Sequence, residues 1–203
     1  MARIYISSTH SDLKEGRAAA IKALRMLGHD VVTMEEYIPE GLQPLDRSLS
    51  NVASCDLYVG IFAWRYGFIP PDDNPDKLSI TELEYRKAEE LGKHRLVFLL
   101  DENAPWPRSM TDEDVGRISK LRYQLKKELI VGLFQNSDEL ARMVTDAIVN
   151  WSSRNYALDN LSYSSLSDAY DRVVNFASRF GEPHITLAML AALPLGLTPE
   201  LVH

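Results

Sequence analysis

Residues 56–62 read DLYVGIF and residues 95–100 read RLVFLL. Each is a short, almost unbroken apolar run. A strand covered on one face alternates apolar and polar residues, whereas a strand covered on both faces does not. Both runs are therefore predicted as central strands of a sheet sandwiched between helices. Working outward, Arg3–Ser7 (RIYIS) is another short β-branched strand. His29–Met34 (HDVVTM) is weaker and more polar, which suits an edge, and Leu129–Phe134 supplies a fifth strand.

Helical periods fill the gaps. Asp12–Leu27 carries Leu13, Ala20, Ile21, Leu24 and Leu27 at helical spacing and stops at Gly28. Its start is signalled by Asp12 with Glu15, or by Ser11. A loop with Pro39, Gly41 and Pro44 precedes a short helix over Asp46–Ala53. Further helices are predicted over Ser79–Leu91, Asp112–Glu128 and Ser137–Trp151, the last capped by Ser137. Five strand–helix repeats imply an α/β fold, a five-stranded parallel sheet doubly wound by helices. The common order for such a sheet is the flavodoxin-like 2-1-3-4-5, with ligands beyond the strand carboxyl ends, near the switch between the first and third strands.

This unit spans residues 1–151. Residues 152–162 (SSRNYALDNLS) are polar and aperiodic, as a linker would be. Residues 163–203 read as a helical extension. Tyr163–Phe180 sets Leu166, Tyr170, Val173, Val174 and Ala177 on one stripe, and Ile185–Leu193 is shorter. A piece of about 40 residues does not easily bury a core alone. The extension is therefore either the start of a further domain or a cap on the sheet unit.

The 203 residues are 45% hydrophobic and 25% charged, which excludes disorder as the main state. A single cysteine, Cys55, excludes a disulfide framework. His10, His29, His94, His184 and His203 are scattered without ligand spacing, so no metal is expected. The net charge of −7 lacks the basic footprint of a nucleic-acid binder. The apolar run Thr186–Leu197 is shorter than the roughly 20 residues of a membrane span, and Pro194 interrupts it. The opening MARIYISST has no long apolar stretch of a signal peptide. These features predict a cytoplasmic protein that engages neither membrane nor nucleic acid.

GxGxxG, GxxxxGK[ST] and GxSxG are all missing, which argues against a Rossmann dinucleotide site, a P-loop and a nucleophile elbow. A phospho-accepting receiver would need acids after the first strand and at the end of the third. Ser7-Ser8-Thr9 and Phe62-Ala63-Trp64 stand there instead.

Three segments converge on the predicted carboxyl rim. Ser7-Ser8-Thr9-His10-Ser11-Asp12 offers hydroxyls and backbone N–H groups to phosphate or ribose oxygens, or is a plain turn with a helix cap. Trp64-Arg65-Tyr66-Gly67 can stack on a base and hold an anion, or can be an aromatic plug on the sheet edge. The third is Ser79-Ile80-Thr81-Glu82-Leu83-Glu84-Tyr85. At about 100° per residue from Ile80, Leu91, Ala88 and Leu83 fall near 20°, 80° and 300°. Glu84 falls near 40°, inside the apolar arc, and Glu82 near 200°, on the solvent side. A carboxylate on a buried face is costly unless it is paired, for example with Arg65, or used.

The stretches RIYISST-HSDL (Arg3–Leu13), DLYVGIFAWRYGFIP (Asp56–Pro70) and SITELEY (Ser79–Tyr85) carry a resemblance. Over about residues 1–150 the chain resembles a TIR-like domain family, formerly a domain of unknown function, found at the N-termini of STAND-type (NACHT) NTPases. More distantly it is similar to TIR domains proper. ISSTHSD resembles their ISYSxxD opening. Glu36-Tyr37 through Gly41, Leu45 and Leu49 resemble their BB loop and the helix after it. The resemblance implies a signalling, effector or defence module that self-associates through the loop Glu35–Pro44 and is joined to a C-terminal NTPase or repeat region.

The resemblance also implies NAD as a substrate rather than a bound cofactor, with a glutamate after the third strand cleaving its N-glycosidic bond. A W-C-x-x-E-L alignment selects Glu82 as that glutamate. The T-x-x-E spacing of the similar nucleoside deoxyribosyltransferases selects Glu84. Ser7, Ser8, Thr9, Trp64, Arg65 and Tyr66 are the expected nucleotide-binding residues, and all of them but Thr9 are expected to line one cleft with Glu84. Three readings stay open at this point. They are a hydrolase of NAD or a related nucleotide, a non-catalytic interaction module, and a nucleoside-processing enzyme.

Overall fold

The computed structural model describes residues 1–33, 44–72 and 74–154. Its strands are β1 (Arg3–Ser8), β2 (Asp30–Val32), β3 (Leu57–Phe62), β4 (His94–Leu100) and β5 (Gly132–Phe134). They form one sheet in the order β2-β1-β3-β4-β5, and every pairing is parallel. The helices are α1 (His10–Met26), α2 (Pro44–Ser54), α3 (Ile80–Glu90), α4 (Gly116–Glu128) and α5 over residues 137–154. The architecture is thus the flavodoxin-like α/β sheet expected from the sequence. Met1–Ile148 form one compact unit and Val149–His203 a second. The expected BB loop and the helices of the extension lie outside the described residues.

All six residues of β3 are buried, which is why that run carries no polar alternation. On one face, Tyr5, Tyr58, Phe62, Val97 and Leu99 pack with Val52 of α2, Tyr85 and Ala88 of α3, and Ile118, Leu121 and Leu125 of α4. Alternate residues such as Ile4, Ile6, Val59 and Ile61 are fully buried on the opposite face. That face is left to α1 and α5, whose buried residues include Leu13, Ala20, Leu24, Leu140, Val144 and Ile148. Each such aliphatic side chain contributes about 1.5–3 kcal/mol through burial.

Several termini differ from the sequence expectation, each for a local reason. Helix α1 begins at His10 with Thr9 as N-cap, and no side chain of the cap closes the first turn. The expected Asp12–Glu15 and Ser11 caps are therefore not used. The cap of α5 is Asn136, not Ser137: its Oδ1 accepts the Glu139 N–H at 2.9 Å while Glu139 Oε2 accepts the Gln135 N–H at 2.8 Å. Helix α4 starts at Gly116 instead of Asp112, after a single 3₁₀ turn at Arg108–Met110. Asp112 is drawn away by the Tyr66 N–H, which its Oδ2 accepts at 2.7 Å. Strand β5 shortens to Gly132–Phe134, and Ile130 before it is fully exposed.

Candidate active site

The carboxyl end of β1 and the first turns of α3 meet above the sheet. Successive strand residues point to opposite faces, so Tyr5 and Ser7 share the face that α3 covers. Ser7 pairs with Gly60 of β3 in the parallel register. A Cβ at Gly60 would lie 2.7 Å from the Phe62 ring and 3.0 Å from the Tyr58 ring. The absence of a side chain there lets both rings close over the strand beside Ser7.

Helix α3 is started by Ser79, whose Oγ accepts the Glu82 N–H at 3.3 Å. Glu84, 2% exposed, points into the core. The Tyr5 hydroxyl donates to its Oε1 at 2.7 Å and the Ser7 hydroxyl to its Oε2 at 2.5 Å. Burial pushes the Glu84 carboxyl above the ordinary carboxylate range, while the Ser7, Tyr5 and Ser48 hydroxyls and the charge of Arg17 oppose this. Tyr58 lies fully buried beside the pair, its hydroxyl within hydrogen-bonding reach of Ser7. Its ring stacks on Tyr5 at 6.4 Å and meets Tyr85 edge-on at 6.2 Å. Burial first, and then the Glu84 charge, raise the Tyr58 hydroxyl well above its ordinary value. Arg17 of α1, itself buried, donates to Ser8 Oγ at 2.7 Å and to the Ser8 carbonyl at 3.3 Å.

The expected solvent-facing position of Glu82 is corrected. Glu82 is 6% exposed, because the chain after β3 folds back over that side of α3. The Tyr66 hydroxyl donates to Glu82 Oε2 at 2.6 Å, and Arg86 donates to Oε1 through Nε at 2.9 Å and Nη2 at 2.6 Å. The Phe68 carbonyl accepts the Ile80 N–H and ties the same segment to the helix start. A helical wheel contains the helix alone, so it cannot register a loop that covers its outer face.

The expected single cleft is also corrected: its members divide among separate surroundings. Ser7, Ser8 and Glu84 are buried with Tyr5 and Arg17. Trp64 instead receives the Arg122 guanidinium 4.1 Å above its ring. Arg122 caps strand ends by donating to the carbonyls of Phe62, Ala63 and Leu100. Tyr66 belongs to Glu82. Arg65 runs outward, donating to Ser11 Oγ at 3.0 Å and to the Ser109 carbonyl at 2.7 Å, and is not paired with Glu84. It lines an open cavity of about 980 Å³ with Arg108, Ser109, Thr111, Asp112 and Glu113. Thr9 is buried beneath Gly67, where an added Cβ would stand 3.2 Å from Thr9 Cγ2.

Sequence reasoning missed Tyr5, Tyr58 and Arg17. The signals existed: Tyr5 is two residues from Ser7 on one strand face, and Arg17 stands on the apolar stripe of α1 between Leu13 and Ala20. Chemically, the arrangement presents one desolvated carboxylate, held by the Tyr5, Ser7 and Ser48 hydroxyls, at the switch between β1 and β3. Among the described residues no cluster of His, Cys, Asp or Glu is placed to hold a metal ion. No described helix is long and apolar enough to cross a membrane.

Among solved structures, the CMP N-glycosidase BcmB of Clostridium botulinum is similar to this chain at 14% identity and a TM-score of 0.45. The match covers 70% of this chain and 96% of that one. A flavodoxin-like domain from Synechococcus is similar at 14% identity and a TM-score of 0.39, covering 75% and 98%. The TIR domains of the activated Roq1 resistosome recognising the pathogen effector XopQ are similar at 10% identity and a TM-score of 0.39, covering 72% and 82%. No curated protein matches significantly. Residues 3–149 match the model of a family described as Domain of unknown function (DUF4062), and the chain belongs to that family.

Proposed function

We propose that the chain is a TIR-like signalling or effector module that binds NAD or a related nucleotide at the carboxyl edge of β1 and β3. On self-association it cleaves the N-glycosidic bond. The observation that carries this reading is Glu84, a buried carboxylate held by Tyr5 and Ser7 at the switch point where ligands of doubly wound sheets bind. In the reaction the bond between C1′ of the ribose and the base nitrogen breaks, and its electron pair leaves with nicotinamide. Water adds its oxygen to C1′ and releases a proton. Glu84 stabilises the positive charge that grows on the ribose, as carboxylates do at other glycosidic centres. The module passes its assembled state to a C-terminal NTPase of the STAND type or a repeat region.

One observation favours a second reading, a non-catalytic interaction module. Glu84 is 2% exposed and both of its oxygens are already bonded inside the protein. Release of nicotinamide from NAD by concentrated, artificially clustered protein separates the two. Release that is lost in Glu84→Gln supports cleavage, and no release from clustered wild type supports the scaffold.

A further inference from the structure

Arg17 is a buried cation to which the reaction written above gives no role. It stands on the apolar stripe of α1 between Leu13 and Ala20 and is 3% exposed. A guanidinium in such a place is costly unless it is held by hydrogen bonds. Two of its bonds converge on one residue. Arg17 Nη1 donates to Ser8 Oγ at 2.7 Å and to the Ser8 carbonyl at 3.3 Å. Ser8 is the last residue of β1, paired with Ile61 of β3.

Ser7 and Ser8 are neighbours, and neighbouring strand residues point to opposite faces of a sheet. Ser7 reaches Glu84 on the face that α3 covers, while Arg17 grips Ser8 from α1. The peptide between the two serines is therefore held from both sides. A rotation of the strand end that freed Ser8 from Arg17 would also turn the Ser7 hydroxyl away from Glu84 Oε2. Among the described residues, the carboxylate is surrounded by Tyr5 and Ser7 of β1, Tyr58 of β3, Ser48 of α2 and Arg17 of α1. The others offer hydroxyls, and Arg17 brings a full positive charge. That charge favours the ionised carboxylate and so works against burial.

We propose that Arg17 is a positioning residue for Glu84: by clamping the Ser8 end of β1 it aims the Ser7 hydroxyl at the carboxylate. The proposal rests on the reading of Glu84 as the working carboxylate of the site. Arg17 acts through Ser8 and Ser7 and not on the nucleotide.

Carbon NMR of the glutamate side-chain carboxyls in the full chain tests this, with the Glu84 signal identified by its loss in Glu84→Gln. The readout is the pH at which that signal titrates. Arg17→Met removes both the clamp and the charge and should raise the midpoint by about one pH unit or more. Arg17→Lys keeps the charge and should recover part of that shift, because an ammonium on a flexible stem holds the two Ser8 oxygens less firmly. Ser8→Ala keeps the charge but loosens the clamp, and should raise the midpoint by roughly a few tenths of a pH unit. Leu24→Ala, further along α1, should lower the melting temperature and leave the midpoint in place. An unmoved midpoint in Arg17→Met, or an equal shift in Leu24→Ala, would make Arg17 merely structural and overturn the proposal. Full recovery in Arg17→Lys with an unmoved midpoint in Ser8→Ala would reduce Arg17 to its charge and overturn the clamp. If Arg17→Met does not fold, wild-type midpoints in both Arg17→Lys and Ser8→Ala overturn it. The measurement needs no turnover. Absence of nicotinamide release from clustered wild type therefore counts against cleavage at Glu84, whereas unmoved midpoints count against Arg17, and the two failures are read separately.

Discussion

Ser7 Oγ donates to Glu84 Oε2 at 2.5 Å across 77 residues of chain. The bond joins the carboxyl end of β1 to the helix that follows β3, so it exists only once the crossover between the two halves of the sheet is complete. It also decides what Glu84 is. Without the Ser7, Tyr5 and Ser48 hydroxyls, the carboxylate would lose its hydrogen bonds inside a buried site, which proteins avoid. With them it is an oriented, water-poor anion at the place where doubly wound sheets bind ligands.

If Glu84 performs cleavage, Glu84→Gln keeps shape and loses charge. The expected outcome in clustered protein supplied with NAD is a fall in nicotinamide release of about 10²-fold or more, with the circular dichroism spectrum unchanged. Glu82→Gln acts differently. It weakens the anchor for Tyr66 and Arg86 and should cost stability more than rate. Full turnover in Glu84→Gln sinks the assignment.

The same substitution has a pH signature that needs no activity. Burial raises the Glu84 carboxyl above its ordinary 4.5 in the folded chain. A raised carboxyl means that the fold holds the proton more tightly than the unfolded chain does. Stability is then fully present below the ordinary value and is lost as pH rises through the folded value. Glu84→Gln cannot ionise and escapes that loss. Its melting temperature should match wild type near about pH 4 and exceed it near about pH 7.5. Asp12, also raised by burial, contributes equally to both proteins and cancels in the difference. A gap that closes as pH rises would show that the hydroxyls over-compensate the burial.

The sheet was legible because its evidence is local. A run such as residues 56–62 can be apolar throughout only when both faces are covered. Glu84 was legible for a similar reason, since a carboxylate inside an apolar arc conflicts with its own helix. What could not be read involved partners distant in sequence. Glu82 is buried by Tyr66, 16 residues away. Trp64 is taken by Arg122 from another helix. Helix starts were misplaced where the cap bond was made by an unsuspected neighbour, as with Asn136, or not made at all, as with Thr9.

Arg122 is a buried cation whose guanidinium spends its donors on main-chain carbonyls of two strands, at 3.3, 3.2 and 2.6 Å. Burial lowers its affinity for the proton, and the charges of Glu102 and Asp101 oppose this. Arg122→Met keeps most of the volume and removes the donors. Leaving the carbonyls unsatisfied and the Trp64 ring uncovered should cost about 2–4 kcal/mol in urea unfolding. Arg122→Lys should recover only part of this, because one ammonium cannot span the strand ends as a planar fork does. A cost below about 0.5 kcal/mol for Met would mean that water replaces the guanidinium.

Gly67 and Gly92 both hold positive φ, +95° and +62°. They differ in surroundings. A Cβ at Gly92 meets nothing within 4 Å, whereas one at Gly67 stands 3.2 Å from Thr9 Cγ2 and 3.4 Å from Thr81 Oγ1. Alanine at either position pays for the backbone conformation, about 1–2 kcal/mol. Gly67→Ala must also push against Thr9, which lies buried where β1 gives way to α1. The neighbouring Tyr66 is held at both ends, by Asp112 at its N–H and by Glu82 at its hydroxyl, so the segment cannot simply slide away. Gly67→Ala should therefore cost about 1 kcal/mol more than Gly92→Ala in urea unfolding. Equal unfolding costs for the two variants would show that the turn yields freely, and the tight seating of Thr9 under Gly67 would then contribute nothing to the stability of the fold.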